Sequence, residues 1–107
     1  MTNSRSHIEV KNEVLNVIQN IYDPEIPVNI YELGLIYEVN VDPTNNVHIL
    51  MTLTSPSCPA AESLPGEVES KTRAIDGVKD VKIELTFEPA WSDELMSEVA
   101  KLELGLL

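Results

Sequence analysis

The run LIYEVNVDPTNNVHILMTL, Leu35 to Leu53, decides the fold. Leu35, Tyr37, Val39 and Val41 alternate with mostly polar neighbours, and Val47, Ile49, Met51 and Leu53 repeat the alternation further on. A period of two is the pattern of a strand with one buried face. Between the two halves, Asp42-Pro43-Thr44-Asn45-Asn46 is a turn by its chemistry, since proline presets φ and asparagine tolerates the left-handed region. The run therefore predicts an antiparallel hairpin.

Downstream, Ala60 to Ile75 reads as a helix interrupted at Pro65-Gly66, where Pro65 can open a new helix because its missing N–H costs nothing there. Asp76-Gly77 closes it, and Val78, Val81, Ile83, Leu85 and Phe87 mark a third strand. A strand reached through a helix runs parallel to its predecessor by a right-handed crossover. After the loop Pro89-Ala90-Trp91, Ser92 or Ser97 caps a last helix carrying Leu95, Met96, Val99 and Leu102.

Upstream, Ser6-His7-Ile8-Glu9 has the spacing of a capping box. Val10, Val14, Val17, Ile18 and Ile21 then form one helical stripe, predicting a helix over residues 6–21 that ends before Pro24. Residues 1–7 read as a frayed terminus apart from that cap. Between the helix and the hairpin lies an ordered connection with one helical turn near Ile30 to Leu33, and Gly34 supplies a positive φ. The expected fold class is α+β: one domain over residues 1–107, in αββαβα order, with a small mixed three-stranded sheet covered by the first two long helices.

The chain has 107 residues and a net charge of −11, from 18 acidic against 7 basic residues. Such a field repels nucleic acid and anionic membrane surfaces, so neither is an expected partner. No apolar run is long enough to span a bilayer, and MTNSRSHIEV lacks the apolar core of a signal peptide. A single cysteine excludes an internal disulfide framework and a one-chain cysteine metal finger, which fits the cytoplasm.

That cysteine, Cys58, lies in Thr54-Ser55-Pro56-Ser57-Cys58-Pro59, between the second strand and the second long helix. Ligand sites in such sheets favour the carboxyl ends of strands and the amino ends of helices. Helix N–H groups stabilise a thiolate, and the two prolines restrict the loop. A lone cysteine is also commonly a small buried apolar residue, and the local acids Glu62, Glu67 and Glu69 oppose thiolate formation. Asp23, before a proline, reads equally as a turn former or cap, and Glu25 as a solvent-facing residue. His48 reads as a surface or half-buried strand residue, and Trp91 as a packing anchor. No glycine-rich phosphate loop or HExxH is present.

Three segments in order resemble one family: Asp23-Pro24-Glu25-Ile26-Pro27-Val28-Asn29-Ile30-Tyr31-Glu32-Leu33-Gly34-Leu35-Ile36-Tyr37, then Thr54 to Pro59, then Glu88-Pro89-Ala90-Trp91 running into Met96 to Leu106. The chain is similar to the iron–sulfur cluster assembly domain family from about Val10 onward. Within that family it looks like the stand-alone auxiliary members of the bacterial SUF system. The 107 residues show neither the further C-terminal cysteines of the members that serve a multicomponent monooxygenase nor the P-loop domain of the carrier ATPases, so the stand-alone type is the expected match. One departure is Ala90, where the family commonly has a second proline before the tryptophan.

The resemblance implies a non-enzymatic maturation factor that helps clusters form on, or reach, recipient apoproteins. Its partners would be SUF assembly proteins and those recipients. It carries the family's site onto Asp23, Glu25, Thr54, Ser55 and Cys58, gathered around the cysteine, with Cys58 contacting iron or a cluster transiently and no permanent cofactor. One thiolate cannot hold a cluster alone, so a cluster would call for a homodimer or a partner's ligands. Two other readings stand beside this one: an adaptor docking scaffold or client without touching metal, and an accessory factor for a multicomponent monooxygenase. An enzyme with Cys58 as nucleophile and Glu25 as acid–base group ranks last.

Overall fold

The computed structural model describes residues 6–22, 27–53 and 63–105. Helix α1 spans His7–Ile18 and opens with the expected capping box: Glu9 N donates to Ser6 Oγ at 3.1 Å, and Ser6 N donates to Glu9 Oε1 at 3.1 Å. Val10, Val14 and Ile18 are its buried stripe. It ends earlier than residue 21 and without help from the proline. Asn20 N bonds to Val17 O and Ile21 N to Ile18 O, a tightened last turn that still leaves Ile21 buried.

The single helical turn appears as α2, Ile30–Leu33. Asn29 Oδ1 accepts from Glu32 N at 2.9 Å to cap its start, and Gly34, at φ 88°, ends it. A side chain at Gly34 would be strained in this left-handed conformation, and its Cβ would also overlap the Leu95 carbonyl.

Strands β1 (Ile36–Val41) and β2 (Asn46–Met51) form the antiparallel hairpin, and β3 (Asp80–Leu85) lies parallel to β2. The sheet order is β1-β2-β3. The turn is organised by Asp42, whose Oδ1 accepts from Thr44 N and Asn46 N, while Asn45 takes φ 66°. Strict alternation fails in β1. Ile36 pairs with Met51 but Glu38 pairs with Leu50, a bulge in which Tyr37 is the extra residue. Ile36 and Val39 therefore share the core face with Met51 and Ile49, and Tyr37 leaves the face its alternation assigned.

Helix α3 spans Leu64–Arg73. Pro65 and Gly66 lie in its first turn rather than interrupting a longer helix, and residues 60–62 are outside the described range. As expected, α1 and α3 cover one face of the sheet, α1 touching β1, α3 touching β3, and the two helices touching each other. Ile18, Leu35, Ile49, Met51, Leu64 and Val68 form the centre of this core. Asn40, His48 and Lys82 lie level across the other face, with Glu38, Leu50 and Glu84 in the next row. His48 is half-buried there, its Nε2 2.9 Å from Glu84 Oε1.

The chain then crosses a cis Glu88-Pro89 bond and a 3-10 turn, Asp93–Leu95, into helix α4, Glu98–Glu103. Ser97, not Ser92, caps α4, its Oγ accepting from Ala100 N at 3.1 Å. The apolar set expected on this helix divides. Met96 is buried just before it, but Val99 is 60% and Leu102 67% exposed, and the helical residue that reaches the core is Ala100. The helix has only six residues and packs closely on α2, so a small side chain suffices on its buried side.

Candidate functional site

β1 begins where β2 and β3 finish, and this end of the sheet also receives α2 and the C-terminal segment. Three backbone hydrogen bonds run across it. Ile30 N donates to Ile21 O at 2.8 Å, Leu35 N to Ile30 O at 3.1 Å, and Thr52 N to Leu35 O at 2.8 Å. A further bridge pairs Tyr22 with Asn29. The described residues on either side of positions 23–26 are thereby bonded in sequence to the residue that follows β2. On the other side of β2, Thr86 N donates to Met51 O at 2.9 Å.

The C-terminal segment reinforces this end. Trp91 Nε1 donates to Leu33 O at 2.8 Å, Ser97 N to Glu32 O at 2.8 Å, and the Tyr37 hydroxyl to Pro89 O at 2.7 Å. Trp91 is half-buried against the core, so its reading as an anchor holds, with a hydrogen bond added. The role of Tyr37 had no signal in the sequence, because the bulge that frees it depends on the partner strand. Gly34 was the one visible sign that something packs closely on α2.

Asp23 and Glu25, and likewise Thr54, Ser55 and Cys58, lie outside the described residues. What surrounds them is described. Tyr22 is 55% exposed and Pro27 is exposed, Thr52 and Leu53 are buried, and Ser63 is exposed. The described chain is buried at Leu53 and is next described at an exposed Ser63, just before α3. That helix opens at Leu64, six residues after Cys58 and later than an Ala60 start. Chain distance alone therefore does not set the thiol on the helix N-terminus.

Among the described residues, the shifted titrations lie at the opposite end of the sheet and have structural causes. Asp42 is lowered from 3.8 to about 2 by hydrogen bonds from the Asn46 backbone and side chain and from Thr44. Asp80 is lowered by the Arg73 guanidinium, 2.9 Å away, and by the Val81 N–H, and Arg73 is raised in turn by Glu69 and Asp80. Among the described residues, no three His, Cys, Asp or Glu side chains are grouped to hold a metal ion. None of their helices is long and apolar enough to cross a membrane.

Comparison with known proteins agrees with the resemblance read from the three segments. The sequence model of the family described as "Iron-sulfur cluster assembly protein" matches residues 11–85. A Porphyromonas gingivalis protein named "Fe-S protein maturation auxiliary factor" is 49% identical over 94% of this chain and 95% of its own length. The Staphylococcus aureus "Fe-S protein maturation auxiliary factor SufT" is 35% identical over 80% of this chain and 98% of its own. Among solved structures, a domain of unknown function from Bacillus anthracis superposes with a TM-score of 0.84 at 33% identity, covering 94% of this chain and 96% of that one. A conserved hypothetical protein from Thermotoga maritima gives 0.78 at 37% identity, covering 98% and 99%. By sequence and by fold, the chain belongs to the iron–sulfur cluster assembly protein family.

Proposed function

We propose that this protein is a maturation factor for iron–sulfur proteins, in which Cys58 handles iron, sulfur or a cluster as cargo on its way to a recipient apoprotein. Family membership supports the cargo. The observation that carries the location is the run of backbone bonds Ile21–Ile30–Leu35–Thr52, which ties the flanks of the Asp23 and Glu25 segment to the end of β2. Asp23 is one residue from Tyr22 and Glu25 two from Pro27. Cys58 is five residues from both Leu53 and Ser63, a reach of at most roughly 17 Å at the length of an extended chain. These tethers let the two carboxylates meet the thiol.

In this reading Asp23 or Glu25 takes the proton from the thiol or adds an oxygen contact to iron, and Thr54 and Ser55 offer hydroxyls to a sulfur. The thiolate is the form that binds metal, so a neighbouring proton acceptor raises its population at neutral pH. One thiolate supplies one of the roughly four ligands that a cluster takes, so the remaining ligands come from a second copy's thiol, a small thiol or the recipient. Transient handling suits such an incomplete set, because a partly ligated cargo leaves readily. The role is carriage and assembly rather than turnover of a substrate, in the cytoplasm, alongside SUF assembly proteins.

The test is aconitase activity in cells deleted for this protein and complemented with wild type or Cys58→Ser. Rescue by wild type alone is expected. Equal rescue by the serine variant would leave maturation standing but remove the thiol from it, which is the adaptor reading. Full activity in the deletion under both iron limitation and oxidative stress would overturn the proposal.

A further inference from the structure

We propose that the groove beside α2 docks a segment of a partner protein that carries an apolar side chain flanked by lysine or arginine. The groove holds about 620 Å³ and is open to solvent. Its walls are α2, the bulged start of β1, the Glu88-Pro89 loop and the 3-10 turn at Leu95. The bulge helps to create it: Tyr37, displaced from strict alternation, bonds to Pro89 O and forms one side, and Leu50 contributes from the face of the sheet that α1 and α3 leave bare. An adjoining hollow of about 300 Å³ shares Tyr31, Ile36, Tyr37 and Glu38 and extends the depression toward α1.

Two features of the groove define its occupant. Tyr31 and Leu95 are large apolar side chains each 41% exposed, in a position to receive an apolar anchor. Around them stand Glu32, Glu38 and Glu88, none of them in an ion pair among the described residues; no lysine or arginine among those residues lines the groove itself, and Lys11 lines only the adjoining hollow. Carboxylates gathered round an apolar floor complement cations placed on either side of an apolar side chain, and that arrangement rejects an acidic segment. A second copy of this chain is a poor occupant, because a net charge of −11 opposes pairing through an acidic face. An open groove also encloses less of a small molecule than the deep pockets such ligands favour.

Docking at the groove calls for no thiol step and no metal, so it is tested without either. ¹⁵N-labelled protein would be titrated at low salt with the peptide acetyl-Lys-Lys-Leu-Trp-Leu-Lys-Lys-amide, and in parallel with acetyl-Lys-Lys-Gly-Ser-Gly-Lys-Lys-amide. The first peptide is expected to shift the amides of Tyr31, Glu38, Leu50 and Leu95, and the second to bind at least about tenfold more weakly. The double variant Glu38→Gln with Glu88→Gln should weaken binding by about tenfold, as expected for two exposed charge pairs. The charge-matched control Glu67→Gln with Glu69→Gln, on α3, should not. Equal binding of both peptides would reduce the interaction to bulk charge and overturn the proposal. It is overturned equally by shifts centred elsewhere, by no binding at millimolar peptide, or by groove shifts that depend on protein concentration alone and so reveal a second copy.

Discussion

Replacing Gly34 by alanine tests the junction that holds the C-terminal segment on α2. Two separate effects act there. At φ 88° an alanine pays the steric penalty of the left-handed region, about 1–2 kcal/mol. Its Cβ would also overlap the Leu95 carbonyl, which is backbone and cannot swing aside as a side chain would. The 3-10 turn must shift, straining the Ser97–Glu32 and Trp91–Leu33 hydrogen bonds on either side, and losing one of these adds about 1 kcal/mol. The sum is about 2–3 kcal/mol, against a total stability of roughly 5–15 kcal/mol for a domain of this size. Two other glycines separate the effects. Gly105 has φ 75° but open space around its Cβ position, so Gly105→Ala should cost no more than about 1–2 kcal/mol, and less if the chain end relaxes. Gly66 has neither constraint and lies in the first turn of α3, so Gly66→Ala should be neutral or stabilise by up to about 1 kcal/mol. Urea unfolding of the four proteins gives the differences, and emission from Trp91, the single tryptophan, reports whether the segment remains docked. A Gly34→Ala variant no less stable than Gly105→Ala, with unchanged Trp91 emission, would refute the claim that the backbone contact at Leu95 matters.

Acid should weaken the fold through Asp42 and Asp80. Both folded pKa values are depressed, so their contributions are complete above the unfolded carboxylate range and are lost as pH falls through the folded values. For Asp42 the window runs from 3.8 down to about 2, and Asp42→Asn should flatten the fall in melting temperature across it. An unchanged acid profile would mean that the turn bonds do not distinguish folded from unfolded chain. Thr72 is buried on α3 and its hydroxyl has no hydrogen-bond partner among the described residues. Thr72→Val keeps the shape and removes the unpaired group, so thermal unfolding should show a gain of about 1 kcal/mol, and a loss would imply a partner for that hydroxyl.

Much of this protein was legible because the deciding signals are local. The capping box at Ser6, the asparagine turn, the positive φ at Gly34 and the alternation in β2 each follow from a few neighbouring residues, and all four appear in the structure. The parallel placement of β3 followed from chain connectivity and right-handed crossover. The candidate site was legible only as residue types and family likeness, since neither periodicity nor capping distinguishes a working Asp23 or Cys58 from a turn residue or a small apolar one.

What tertiary structure alone decided was set by partners far along the chain. Tyr37 sits in a regular alternation, and only pairing with β2 turns it into a bulge whose hydroxyl reaches Pro89, 52 residues away. The last helix carries Val99 and Leu102 in the sequence, yet Ala100 is the residue that packs, because contact with α2 fixes its rotation. Amphipathic pattern identifies an apolar face when one dominates; a six-residue helix held by its cap and a close neighbour can turn its larger apolar residues outward. The bond from Thr52 to Leu35, which connects the end of β2 to the flanks of the Asp23 segment, is likewise a backbone contact between distant residues. Sequence determined the elements and their order; only long-range pairing and packing determined which side chains the sheet end and its groove present.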